Sequence, residues 1–228
     1  MNLSQQLHHN SKAKHWRNYW TNSIKDYLGI NTLEVGSGEG GNINYLVNSK
    51  IIQNLTSLEP DQQFFKKLKK KKLKNIIFKK LKKNIYKLSK KKKYDCILYA
   101  DVLEHIKKDK LEISVASKFL KKKGRLIIMS PAHNFVYSDF DKAVNHYRRY
   151  NKNMLFKLKP TNLFVEKCYY LDSLGLILLL LNKFFIKKIP KYKDIFFWDR
   201  FIVPISIFID AITLYKFGKS IVCIFQKK

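Results

Sequence analysis

Residues 32–41 read TLEVGSGEGG, and this stretch constrains the chain more than any other. A short apolar β-pattern, Leu33 to Val35 with Glu34 inside it, breaks into a loop that is nearly half glycine, and a helical pattern, INYLV, opens at Ile43. Glycines permit positive φ and let a ligand approach the backbone where a Cβ would block it. The amides at the start of the following helix favour a polar or anionic group. A small nucleotide-like ligand is the first expectation.

Two spacings are present at once. Gly36, Gly38 and Gly41 satisfy the dinucleotide fingerprint G-x-G-x-x-G. Glu34, Gly36, Gly38 and Gly40 satisfy E-x-G-x-G-x-G, which resembles the first motif of class I S-adenosylmethionine (SAM) methyltransferases. Glu34 separates them, because a dinucleotide fold usually places an apolar residue there and the methyltransferases an acid that helps orient the methionine end of SAM.

At 228 residues the chain is long enough for one sizeable α/β domain, and no linker-like or repeated segment suggests a second. Cys96, Cys168 and Cys223 lie far apart with no C-x-x-C, which speaks against a zinc site or disulfide framework and for a reducing compartment. The opening residues, MNLSQQLHHN, lack an apolar core for a secretory signal, so a cytoplasmic location is expected. The formal charge of +29 comes from 41 lysines and only five arginines. Nucleic-acid surfaces usually mix in arginine, whose planar fork reads phosphates and bases as lysine cannot. Compositional bias or a solvated basic face is expected first and an anionic membrane surface next, with nucleic acid not expected.

Residues 12–28 carry Trp16, Tyr19, Trp20, Ile24, Tyr27 and Leu28 at helical spacing, predicting an N-terminal helix packed on a sheet, with a share in covering the cofactor. A second strand, 55–59, ends in Glu59, 23 residues after Gly36, where an acid can accept both ribose hydroxyls. A helix continuing through 66–74 and a third strand over 75–78 follow. The strand 94–101 ends in Asp101 and leads into VLEHI. A helix over 111–120 is expected to stop with Gly124 at its C′ position, before a fifth strand at 125–129.

LEVGSGEG, LEPD, YDCILYADVLEHI and LKKKGRLIIMSPA together resemble the class I SAM methyltransferases in order and spacing. DVLEHI is similar to the branch with ubiquinone-type O-methyltransferases and bacterial type 11/12-like enzymes. By that resemblance the fold is a Rossmann-like, doubly wound seven-stranded sheet with an antiparallel last strand and a helical apolar insertion before it. The divisions expected are 1–30 for the helix, 31–170 for the SAM-binding core, 171–219 for the insertion and 220–228 for the last strand. The resemblance assigns the cofactor to Glu34, Gly36, Gly38, Gly40, Glu59, Asp101 and, in place of an acid facing the adenine, Asn84. His105 is expected to be structural, and no metal is expected.

The segment 131–155 resembles a bacterial subgroup with D-x-x-x-G-H-x-R-R-Y, with Asn145 replacing the glycine and putting that turn in question. It offers Asp141, Arg148 and Arg149 as substrate-binding residues, and His133 and His146 as candidate general bases for a hydroxyl acceptor. Roughly fifty residues then separate the sixth strand, 163–170, from the seventh, 221–225, far more than an ordinary loop. They are apolar but interrupted by Asn182-Lys183, Asp199-Arg200, Pro204 and Asp210, so a cover over the acceptor site or an interfacial membrane face is expected rather than a span. Gly218-Lys219-Ser220 is no P-loop, since Thr213 stands where glycine is required. The acceptor expected is a small molecule or a lipid-like, quinone-like or lipid-linked saccharide, with the enzyme peripheral on the inner face of the membrane. The rivals are an NAD-dependent oxidoreductase and a non-catalytic basic protein binding membranes or RNA.

Overall fold

The computed structural model describes residues 13–186 and 188–228. The opening stretch that bears on a secretory signal, and Lys12 of the first expected helix, lie outside the described residues.

Seven strands form one sheet: β1 (Asn31–Val35), β2 (Asn54–Leu58), β3 (Ile77–Leu81), β4 (Tyr94–Ala100), β5 (Leu120–Pro131), β6 (Leu163–Leu171) and β7 (Ser220–Lys227). Their order is β3-β2-β1-β4-β5-β7-β6. The first five pair in parallel, and β7 lies antiparallel between β5 and β6. This is the doubly wound sheet that the sequence predicts. Central strands read as unbroken apolar runs because both faces are covered. Ile97 and Tyr99 point into one core with Leu33 and Val35, while Cys96 and Leu98 point into the other with Leu55 and Ile127.

The second core is closed by α1 (Lys14–Ile24), whose Trp16, Tyr19, Trp20 and Ile24 form its buried stripe, and by α2 (Ile43–Val47) and α3 (Gln62–Lys69). Asp61 caps α3 by accepting from the amides of Gln63 at 2.8 Å and Phe64 at 3.0 Å. The first core is closed by α4 (Asp109–Lys118) and α6 (Lys152–Leu158). A short α5 (Asp139–Ala143) lies in the β5–α6 connection.

Three local expectations are corrected. The helix of the basic run stops at Lys69, and strand three starts at Ile77, after Asn75 turns the backbone at φ 60°. Gly124 is not a helix C′ residue: α4 ends at Lys118, and 120–123 already run in β5. The left-handed residue there is Lys123, at φ 62°. A Cβ on Gly124 would sit 2.9 Å from the Lys121 carbonyl oxygen, so local crowding accounts for the glycine.

The insertion is helical: α7 (Ser173–Leu181), α8 (Tyr192–Phe197) and α9 (Val203–Ile212), with wider π-type turns at Asn182–Ile186 and Trp198–Ile202. Among the described residues no helix is long and apolar enough to cross a membrane. The polar interruptions have structural partners. Asp199 accepts from the Trp16 amide at 2.9 Å and the His15 amide at 3.3 Å, so it caps α1 from 183 positions away.

Candidate functional site

Parallel β1 and β4 are neighbours whose onward connections leave to opposite sides, and this switch point opens a crevice at their carboxyl ends. A cavity of about 510 Å³ lies there. Its floor includes Gly36, Gly38, Asp101 and His146, with Trp16, Arg17 and Trp20 of α1 on one side and residues of the insertion above.

The glycine loop distinguishes the two spacings. Gly36, Gly38 and Gly40 have φ of 68°, 54° and 77°, whereas Gly41 is not left-handed. The E-x-G-x-G-x-G spacing is therefore the one the backbone uses. A Cβ on Gly36 would lie 2.7 Å from Val102 Cγ2, so the loop and the residue after Asp101 pack without space for a side chain.

Glu34 lies beneath this loop, 1% exposed. Its carboxylate accepts from Ser57 Oγ at 3.1 Å and Asn42 Nδ2 at 3.4 Å, tying β1 to β2 and to the residue before α2. Burial pushes its pKa up, against those hydrogen bonds and the charge of Arg17. Glu59 follows β2 and accepts from the Gly38 amide at 2.7 Å and the Asp61 amide at 2.8 Å. It thus fixes the middle of the glycine loop. Burial raises its pKa, and the two amides oppose the rise.

Asp101 ends β4 at φ 53°, open to the cavity yet deep in the protein, and burial pushes its pKa up to about 6 despite the nearby charges of His146, Lys219 and Arg17. Glu104 shares that wall; burial and then the charge of Asp101 push its carboxyl well above the ordinary value. His105 is held near 4 by burial and by His146, and is neutral at pH 7.

Of the polar residues expected in the 131–155 segment, His146 and Arg149 reach the cavity. Asp141 does not. It is fully buried, and one oxygen takes both His146 Nδ1 and Arg149 Nε at 2.8 Å while the other takes the Ser138 amide at 2.9 Å. Burial raises its pKa, but His146 and Arg149 outweigh that and hold it below the usual range. Asp141 therefore positions those two side chains instead of meeting a substrate. Arg148 is turned away, pairing with Asp109 and donating to the Lys107 carbonyl at 3.1 Å. His133 also fails to line the cavity: its ring stacks on Tyr170 at 4.7 Å. Asn84 is exposed beside a short turn and does not line it either. The turn in question at Asn145 does form, at φ 62°, a conformation asparagine tolerates better than other non-glycine residues.

Sequence reasoning missed Lys219. Its ammonium lies 3.2 Å from the Trp198 ring centroid and 3.2 Å from Asp172 Oδ2, inside the cavity wall. The G-K-S before the last strand was its only signal.

The family model described as methyltransferase domain matches residues 33–126, the segment that builds the loop, Glu59 and Asp101. The chain carries a methyltransferase domain. No curated protein matches it. Among solved structures, coclaurine N-methyltransferase bound to N-methylheliamine and S-adenosylhomocysteine superposes with a TM-score of 0.61 at 13% identity, over 93% of this chain and 72% of that one. The N-methyltransferase NodS from Bradyrhizobium japonicum, in complex with S-adenosylhomocysteine, gives 0.60 at 12% identity, over 95% and 88%. The plantazolicin methyltransferase BpumL, also with S-adenosylhomocysteine, gives 0.56 at 11%, over 97% and 84%. The architecture of this methyltransferase is thus the class I fold.

Proposed function

We propose that this SAM-dependent methyltransferase acts on a lipid-like acceptor at an anionic membrane surface. One observation carries the reading: the helices that roof the cavity are apolar on both sides. Inward they present Leu178, Leu179, Ile186, Ile195, Phe197 and Trp198 to the cavity. Outward, Phe185 is 79% exposed, Phe208 69% and Leu214 70%, with Lys188, Lys191, Lys193 and Arg200 exposed on the same insertion. An apolar face rimmed by cations fits the boundary between acyl chains and anionic headgroups, and the charge of +29 adds attraction.

The glycine loop fits a close-lying cofactor: Gly36 and Gly38 bring bare backbone to the cavity, and a Cβ on Gly36 or Gly40 would strike Val102 or Ile43 and distort that loop. Glu34 and Glu59 set the loop, Glu59 would accept from ribose hydroxyls, and Asp101, which lines the cavity, would hold the methionine end. When bound, SAM supplies an activated sulfonium methyl group to a nucleophile on the acceptor. The chain then has to align the acceptor and exclude water, which the aromatic roof does. His146, oriented by Asp141, is the base candidate the geometry retains, and an oxygen acceptor would give up its proton there.

The test is methyl transfer from radiolabelled SAM into extracts of phosphatidylglycerol vesicles loaded with quinone or polyprenyl lipids, beside phosphatidylcholine vesicles and soluble acceptors. Label in the organic phase with the anionic vesicles is expected, together with a loss of vesicle sedimentation of about tenfold or more in Phe185→Glu/Phe208→Glu. Equal labelling of soluble acceptors by that variant and the unaltered chain, with no label in lipid, would sink the reading.

The position of Asp101 also predicts a pH dependence. Its carboxylate forms only above about pH 6, and that charge favours the cationic methionine end of SAM. Calorimetric SAM affinity is expected to fall as pH drops from about 7 to about 5, and to be flat across that window in Asp101→Asn. Stability moves oppositely. Asp101 contributes stability below the unfolded aspartate value, near ~4, and loses it as pH rises through about 6, because the native state there binds more protons.

A further inference from the structure

Three side chains on one wall of the cavity take no part in binding SAM or in the roof, and His146, with Nδ1 engaged by Asp141, can serve as a base through Nε2 only while that atom holds nothing else. Glu104 and His105 sit in the short turn Leu103–His105 after β4, and His146 follows the left-handed Asn145. One donor atom from each lies within 4.8 Å of the other two.

The state of each donor indicates what belongs between them. Glu104 is completely buried, and while Oε2 accepts from Ser130 Oγ at 3.0 Å, Oε1 has no hydrogen-bond partner. A carboxyl oxygen left bare in the interior is costly unless something occupies it. His146 Nδ1 is engaged by Asp141 at 2.8 Å, which turns Nε2 towards that bare oxygen at 4.0 Å. The gap is too long for a hydrogen bond. It is a span that an ion bonded at roughly 2.1 Å to each atom would close, to about 3–3.5 Å. The ring of His105 stands edge-on to His146, centroids 4.6 Å apart, and hydrogen-bonds the Asn145 backbone, leaving its other nitrogen to act as a donor atom. Asp141 behind His146 reproduces the carboxylate–histidine pairing that fixes the tautomer of metal-binding imidazoles, and it is itself locked by Arg149 and Ser138.

We infer that Glu104, His105 and His146 form a binding site for a divalent first-row transition cation. Two imidazole nitrogens and one carboxylate suit zinc, iron, cobalt or manganese; magnesium and calcium, which prefer mainly oxygen ligands, are disfavoured. All three residues line the cavity, so the remaining coordination positions open onto the acceptor space. Asp101, whose charge already acts on Glu104, adds to the attraction for a cation.

The test uses the full chain stripped with chelator and titrated with cobalt(II), followed by its visible d–d absorption and by zinc competition in a calorimeter. No SAM is added, so failure here leaves the methyl-donor reading untouched. One equivalent with cobalt bands is expected. Glu104→Gln and His146→Ala should each weaken binding by at least about tenfold, and Asp141→Asn, which touches no metal, by about 10–100-fold. Circular-dichroism melts verify that the variants are folded, and the half-buried His105→Ala serves if Glu104→Gln does not fold. Absence of cobalt bands in the unaltered chain would overturn the site. So would binding that persists in both His105→Ala and His146→Ala, or that disappears only in His8→Ala/His9→Ala.

Discussion

Replacing Asp210 by alanine is expected to lower the unfolding free energy by about 3–5 kcal/mol, read as a fall in the urea midpoint at unchanged slope. Asp210 is fully buried on α9. One oxygen accepts from Tyr19 Oη at 2.7 Å and the Asp172 amide at 2.6 Å, and the other from the Ser173 amide at 2.9 Å. Alanine strands all three donors away from water. The phenol cannot relieve this by ionising, because burial, the largest cause of its raised pKa, persists without Asp210. Asp172 in turn caps α7 through the Gly175 amide at 3.0 Å and receives Ser206 Oγ at 2.6 Å and Trp198 Nε1 at 2.7 Å. Together the two aspartates tie the insertion to α1 and to the end of β6. Tyr19→Phe removes one arm and should cost only about 1 kcal/mol. A loss below that figure for Asp210→Ala would mean that the insertion is held by its apolar contacts alone.

This network also explains which parts of the molecule were legible in the sequence. The central strands were, because burial on both faces leaves a continuous apolar run, as in the segment 94–100. The glycine spacing was, because three positive φ angles demand it. Asp199 and Asp210 show in the sequence only as interruptions of an apolar stretch, and their partners on α1 stand more than 180 positions away, a span that no local pattern encodes. The same limit applies to the histidines. His133 and His146 look equivalent in a polar loop, and which one faces the cavity depends on left-handed residues, His133 itself and Asn145, that redirect the chain. A helix start is enough to explain a histidine such as His105; its closeness to His146 emerges only in the fold. Gly124 misled for a related reason. A glycine after a lysine run is a common helix stop, but here it fits a crowded strand.

The variant Glu59→Ala is expected to weaken SAM binding by about 100-fold, or about 2.7 kcal/mol, measured by calorimetry with SAM, S-adenosylhomocysteine and NAD as ligands. The magnitude follows from a double role. A carboxylate has about four acceptor sites, and here the Gly38 and Asp61 amides use one on each oxygen. The remaining two can receive a pair of ribose hydroxyls, and hydrogen bonds to an ionised acceptor are worth about 1.5–3 kcal/mol. Alanine removes those and also releases the Gly38 amide, so the loop loses its fixed shape before any ligand arrives. Glu59→Gln separates the contributions, since its single carbonyl oxygen can keep only one of the two backbone amides. Asn84→Ala supplies the control, because that side chain is exposed and, unlike Glu59, does not hold the glycine loop, so its loss should leave affinity unchanged. The NAD titration decides between the two glycine spacings in solution. Binding of NAD alone would restore the dinucleotide reading. Binding of SAM and S-adenosylhomocysteine, lost in Glu59→Ala, would show that the loop takes the methyl donor, in line with the spacing whose three glycines are left-handed.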